Sequence, residues 1–130
     1  MNRQKLLIGI SLALLGLTAC QSMPKVGEPV SNGTNTITVT EFERAPFNLP
    51  GFANHDILSV TVVSETDPFN AESAQKTNAS LKDNRGNTFE ANGTGIDERD
   101  SMKAVFTFII PQASKHFEFR FLDYPVISLE

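Results

Sequence analysis

The chain has 130 residues, 40% hydrophobic and 20% charged, which is enough for one domain core and not for two, and an ordinary globular balance. A formal net charge of −4 disfavours nucleic acid as a partner, because phosphate backbones are held mainly by Lys and Arg. One cysteine excludes an intramolecular disulfide and a Cys-based zinc site, and ten Phe beside one Tyr and no Trp leave any aromatic core to phenylalanine.

Arg3 and Lys5 open the chain, and the apolar run Leu6 to Leu15 is too short to span a bilayer permanently, so a secretory signal peptide is predicted over 1–19. It ends in Leu17-Thr18-Ala19-Cys20, which resembles the lipobox of bacterial lipoproteins. The resemblance implies cleavage before Cys20, a diacylglycerol on the Cys20 thiol and an acyl chain on its amino group. Gln21 and Ser22 follow Cys20 where an aspartate would retain a lipoprotein in the inner membrane. The resemblance therefore implies the outer membrane of a Gram-negative bacterium, with the body facing the periplasm. Each buried CH₂ contributes about 0.8 kcal/mol, so two or three acyl chains hold a soluble domain where one does not. Without Arg3 and Lys5 the mature chain carries 9 basic and 15 acidic groups, a surface that anionic headgroups repel, which leaves anchoring to the lipid.

Residues 20–35 hold the cysteine and a stretch with two prolines, two glycines and no apolar period, predicted to be a flexible tether. The body is expected over 36–130. Ile37 and Val39 alternate with Thr38 and Thr40, and Leu58, Val60 and Val62 with Ser59 and Thr61, as in half-buried strands. Asp67 to Asn78 reads as a helical turn or a long loop. Ala79 to Lys82 and Thr88 to Ala91 flank Asp83-Asn84-Arg85-Gly86-Asn87, a hairpin turn. Asn92 to Gly95 and Asp97 to Asp100 read as the next loop. Met102, Ala104, Phe106, Phe108 and Ile110 then share one face, as do Phe117, Phe119 and Phe121, and a last short strand covers Val126 to Leu129. About seven strands without a helical period predict an all-β, immunoglobulin-like antiparallel sandwich.

The segment Leu81 to Phe89, the strand Ala104 to Pro111 and the strand Phe117 to Phe121 together resemble the DUF4352 and telokin-like group of bacterial secreted domains and lipoproteins. That resemblance, over residues 81–121, implies an immunoglobulin-like fold in an envelope setting and carries over no catalytic residue.

No catalytic constellation is apparent. His55 and His116 are far apart and in no zinc motif, and no G-x-S-x-G or S-x-x-K motif surrounds a serine, so the domain is expected not to be an enzyme and to need no cofactor. Asp97, Glu98 and Asp100, with Asp83, offer carboxylates for weak calcium binding, although no EF-hand loop is present. The Asn-x-Ser/Thr triplets at Asn32, Asn78 and Asn92 read as turn residues beside a bacterial lipobox. Phe47, Phe52 and Phe69 lie in loop-like stretches, where they either form a binding patch or plug the sandwich ends. The expected function is a lipid-anchored, non-catalytic module that binds another envelope or extracellular protein through a sheet edge, these phenylalanines or the acidic loop. The alternatives are an inhibitor of a hydrolase such as lysozyme, and a sensor of calcium or a small ligand.

Overall fold

The computed structural model describes residues 22–130; Cys20 and the signal segment lie outside the described residues. In chain order the strands are β1 Pro29–Ser31, β2 Thr36–Pro46, β3 His55–Ser64, β4 Ala79–Lys82, β5 Thr88–Glu90, β6 Gly93–Ile96, β7 Lys103–Pro111, β8 Phe117–Phe121 and β9 Ile127–Leu129. One sheet has the order β1-β2-β3-β7-β6 and the other β5-β4-β8-β9, with antiparallel neighbours throughout. Without β1, this is the ABED and C′CFG order of immunoglobulin sandwiches. The expected all-β sandwich is present, with nine strands where the sequence pattern suggested about seven.

The inner faces follow the alternation. Leu58, Val60 and Val62 of β3 lie opposite Phe108, Phe106 and Ala104 of β7, and all six are buried. Leu81, Phe119 and Ile127 answer from the other sheet. Phe106 meets Phe119 at 6.1 Å and Phe121 at 5.1 Å between ring centroids, so one phenylalanine of β7 ties the two sheets together.

The two additional strands correct two expectations. Residues 20–35 read as a tether, yet Val30 of β1 is buried in the core and pairs with Ile37. The chain enters along β9, where Lys25 forms a parallel bridge to Ser128 and the Ser128 N–H donates to the Pro24 carbonyl at 2.8 Å. It then reverses at Val26-Gly27, with Gly27 at φ 91°, and runs back down β2. Of the prolines and glycines that suggested flexibility, Pro24 precedes this turn and Gly27 lies in it, Pro29 opens β1, and Gly33, at φ 99°, lies in the β1–β2 turn. Asn92 to Gly95 read as loop because of its glycines, but Gly93–Ile96 is strand β6 on β7. Glycine is needed at 93, where a Cβ would sit 2.7 Å from the Thr107 hydroxyl.

A bulge in β2 sets up the upper end of the molecule. Val39 lies opposite Val62 but Glu41 lies opposite Thr61, so Thr40 is an extra residue and the alternation changes phase. Ile37 and Val39 face inward before it; Phe42 and Arg44 do so after it, opposite Val60 and Leu58. Arg44 is thereby aimed between the sheets at the end of β7. Its Nε donates to Asp56 at 2.7 Å, and its terminal nitrogens donate to the carbonyls of Ser114 at 2.8 Å, Gln112 at 3.0 Å and Pro111 at 3.2 Å. The guanidinium also lies over the Phe117 ring, 5.7 Å from its centroid. At the opposite end, the buried Asn35 amide donates to Ser64 Oγ at 2.8 Å and Tyr124 OH at 2.9 Å, and accepts from Thr66 Oγ1 at 2.8 Å.

Candidate binding surface

The β2–β3 connection, 47–54, projects from the Arg44 end. Leu49-Pro50-Gly51-Phe52 makes a turn closed by Phe52 N–H to the Leu49 carbonyl at 3.1 Å, with Pro at the second position and Gly51 at φ 89°. Those are the type II turn residues, since proline presets the first central φ and glycine accepts the positive second one. The turn brings Phe52 edge-on to Phe47 at 5.2 Å and to the His55 ring at 5.8 Å. The His55 Nδ1–H donates to the Ala53 carbonyl at 2.9 Å, which fixes the imidazole plane. Leu49 is 54% exposed and Phe52 38% exposed.

This tip continues onto the outer face of the five-stranded sheet. The register places Ala45 opposite Ile57 and Ile57 opposite Ile109, and His55 opposite Pro111; their parity is opposite to that of buried Leu58 and Phe108. Phe47, whose N–H donates to the His55 carbonyl at 3.1 Å, extends the same outward column. The result is one apolar surface from Leu49 through Phe52 and Phe47 to Ala45, Ile57 and Ile109, without a charged side chain inside it. Alternation around Leu58 gives Ile57 an outward position, but only the pairing of β2, β3 and β7 shows that Ala45, Ile57 and Ile109 adjoin.

The structure divides the sequence-predicted residues among three places. Phe47 and Phe52 form the tip. Phe69 is at the other end, buried, 6.5 Å from Phe106 and 6.0 Å from Phe121, so it plugs the sandwich and is no part of an exposed patch. Asp97, Glu98 and Asp100 are exposed in the β6–β7 turn, also remote from the tip. There Asp97 Oδ1 accepts from Arg99 N–H at 2.8 Å and Asp100 Oδ1 from Met102 N–H at 3.0 Å, so one oxygen of each carboxylate shapes the turn. Among the described residues no three His, Cys, Asp or Glu side chains are grouped to hold a metal ion.

Asp83 is a buried carboxylate inside the β4–β5 turn. Burial opposes its charge, but hydrogen bonds from the Asn87 side chain at 3.0 Å, from the Asn87 and Arg85 N–H groups at 2.9 Å each and from the Ser114 hydroxyl outweigh it, and its pKa lies below the usual 3.8. Its role is to shape the hairpin. His116 stands 3.4 Å from Glu130 in an exposed pair. Asn32, Asn78 and Asn92 all use their side-chain amides on the backbone: Asn32 accepts from Thr34 and Asn35, Asn78 donates to Glu72 and Ser73, and Asn92 accepts from Ile109. No protein-family model, curated protein or solved structure matches the chain.

Proposed function

We propose that the protein is a lipid-anchored envelope lipoprotein, attached through Cys20, whose immunoglobulin-like domain binds another protein with the apolar surface at the β2–β3 end. The observation that carries this reading is the continuity of the tip, exposed Leu49 and Phe52 with half-buried Phe47, with Ala45, Ile57 and Ile109 on the sheet. Aromatic anchors on a supported hairpin lose little conformational entropy on binding, which suits them to the centre of a protein interface. The path of the N-terminal segment supports a protein partner over the anchoring bilayer. Because Lys25 runs parallel to β9, residues 22–24 approach from the end opposite the tip, and the patch is turned away from the side of entry. The immunoglobulin strand order accords with the resemblance to the DUF4352 and telokin-like group, and the lipobox supplies the outer-membrane, periplasm-facing setting.

Affinity capture from detergent-solubilised envelopes tests the reading with three baits. The native protein is expected to recover a protein that a Phe47→Ser/Phe52→Ser variant loses. A Cys20→Ala form, unable to be lipidated, should leave the membrane fraction yet bind the same partner in solution. Equal recovery by native and tip variant would remove the patch from the reading. A hydrolase inhibitor is the second reading, favoured by the way 47–54 projects as a single loop; it requires inhibition of lysozyme or another purified hydrolase that Phe52→Ser abolishes.

A further inference from the structure

Strand β6 forms the outer edge of the five-stranded sheet. Gly93 and Gly95 lie opposite Thr107 and Val105, and the Asp97 N–H donates to the Lys103 carbonyl at 3.0 Å. Residues 93, 95 and 97 therefore turn their polar groups toward β7, and the N–H and C=O groups of Thr94 and Ile96 point away from the sheet. Among the described residues, neither takes part in a backbone hydrogen bond outside the ladders.

The other edges are protected. β1 is three residues long and begins with Pro29, β9 is covered by the Pro24–Ser128 hydrogen bond, and β5 is three residues long and ends in Glu90. β6, with the sequence Gly-Thr-Gly-Ile, has no proline and no charge.

Thr94 and Ile96, opposite buried Phe106 and Ala104, have side chains of inward parity. There they line a groove of about 570 Å³ whose far wall includes Ala71, Ala74, Lys76 and Thr77. Lys76 is the only charged residue lining it, and among the described residues it has no ion pair.

We propose that β6 takes up an extended peptide segment of another protein as an added strand, with alternate apolar side chains in the groove and a carboxylate on Lys76. The unpaired N–H and C=O groups select an extended main chain, the small side chains admit it closely, and the lone ammonium selects an anionic group. This goes beyond the tip-binding reading and uses a different surface, so the two fail separately.

The probe is a displayed library of random ten-residue peptides with free C-termini, selected on the folded mature protein. Selected peptides are expected to alternate apolar residues and to carry a carboxylate. Their affinity should fall at least tenfold with Thr94→Pro, which removes one outward N–H and no ladder bond, and with Lys76→Gln. C-terminal amidation and Asp/Glu→Asn/Gln changes in the peptide distinguish a terminal from a side-chain carboxylate, and one of the two must weaken binding. If Thr94→Pro does not fold, N-methylation of alternate peptide residues against the native protein reads the same hydrogen bonds and should also cost at least tenfold. Phe52→Ser should leave peptide affinity unchanged. The proposal is overturned by no enrichment, by binding indifferent to both backbone changes, by loss of binding in Phe52→Ser, or by a β6-mediated dimer in sedimentation that Thr94→Pro dissolves.

Discussion

Arg44 does several jobs with one planar group: it pairs with Asp56, donates to three carbonyls of the β7–β8 turn and covers Phe117. Lysine carries the same charge but has a single nitrogen and no plane, so Arg44→Lys keeps only part of this set. The expected loss is about 2 kcal/mol, read as a lower urea midpoint at unchanged m, reduced from the value for a fully buried ion because the side chain keeps 30% exposure. Asp83 gives a prediction in pH. Its folded pKa is depressed, so its contribution to stability is fully present above the ordinary value of 3.8 and is lost as pH falls through the folded pKa. Asp83→Asn should therefore be less stable than the native protein at neutral pH, with the gap narrowing below about pH 4 in parallel denaturant titrations. Arg44's role could not be read from the sequence, because simple alternation from Ile37 turns that position outward. Asp83 was legible as a hairpin-turn residue, but its burial, which turns it from a candidate calcium ligand into the centre of the turn's hydrogen bonds, was not.

At the scale of elements, large β-branched and aromatic residues in alternation were legible and glycine- and proline-rich segments were not. Phe106, Phe108, Phe117, Phe119 and Phe121 declare their strands because only a period of two places those rings on one side. Val30 and Gly93 to Ile96 carried no such signal, since tertiary pairing overrides weak strand propensity. β1 is therefore the informative place to cut: Val30→Ala removes a buried side chain beside Ile37 and should cost about 1–2 kcal/mol, measured by chemical denaturation, where a loose tether would show no change. Deleting Thr40 tests the bulge. Without the extra residue, Val39 and Glu41 become neighbours opposite Val62 and Thr61, the ladder is regular and Phe42 and Arg44 keep their inward positions, so the deletion variant is expected to retain a cooperative unfolding transition and its near-ultraviolet dichroism.

For the whole molecule, the core and the candidate surface should respond oppositely to truncation. Phe119→Ala opens the space where Phe106 and Phe108 meet the second sheet and should cost about 3–5 kcal/mol. Phe52→Ser should cost far less, about 1 kcal/mol, while weakening capture of the partner, because the ring keeps 38% exposure and loses two edge-on contacts, to Phe47 and His55. Half of the tip was legible, in Phe47 and Phe52. Its extension over Ala45, Ile57 and Ile109 was not, because residues far apart in the chain become neighbours only through register.

The hydrogen bond between Ser128 and Pro24 also sets a leash length. On the proposed attachment at Cys20, a chain unattached up to Thr36 would span at most about 53 Å, whereas one pinned at Pro24 is separated from Cys20 by four peptide steps, at most about 13 Å. On that proposal the volume open to the domain around one anchor point shrinks as the cube of that ratio, to about one-sixtieth, and anchored copies would occupy a thin layer at high local concentration. A partner confined to the same layer would then meet the domain at a raised effective concentration, which adds to its intrinsic affinity without any new contact.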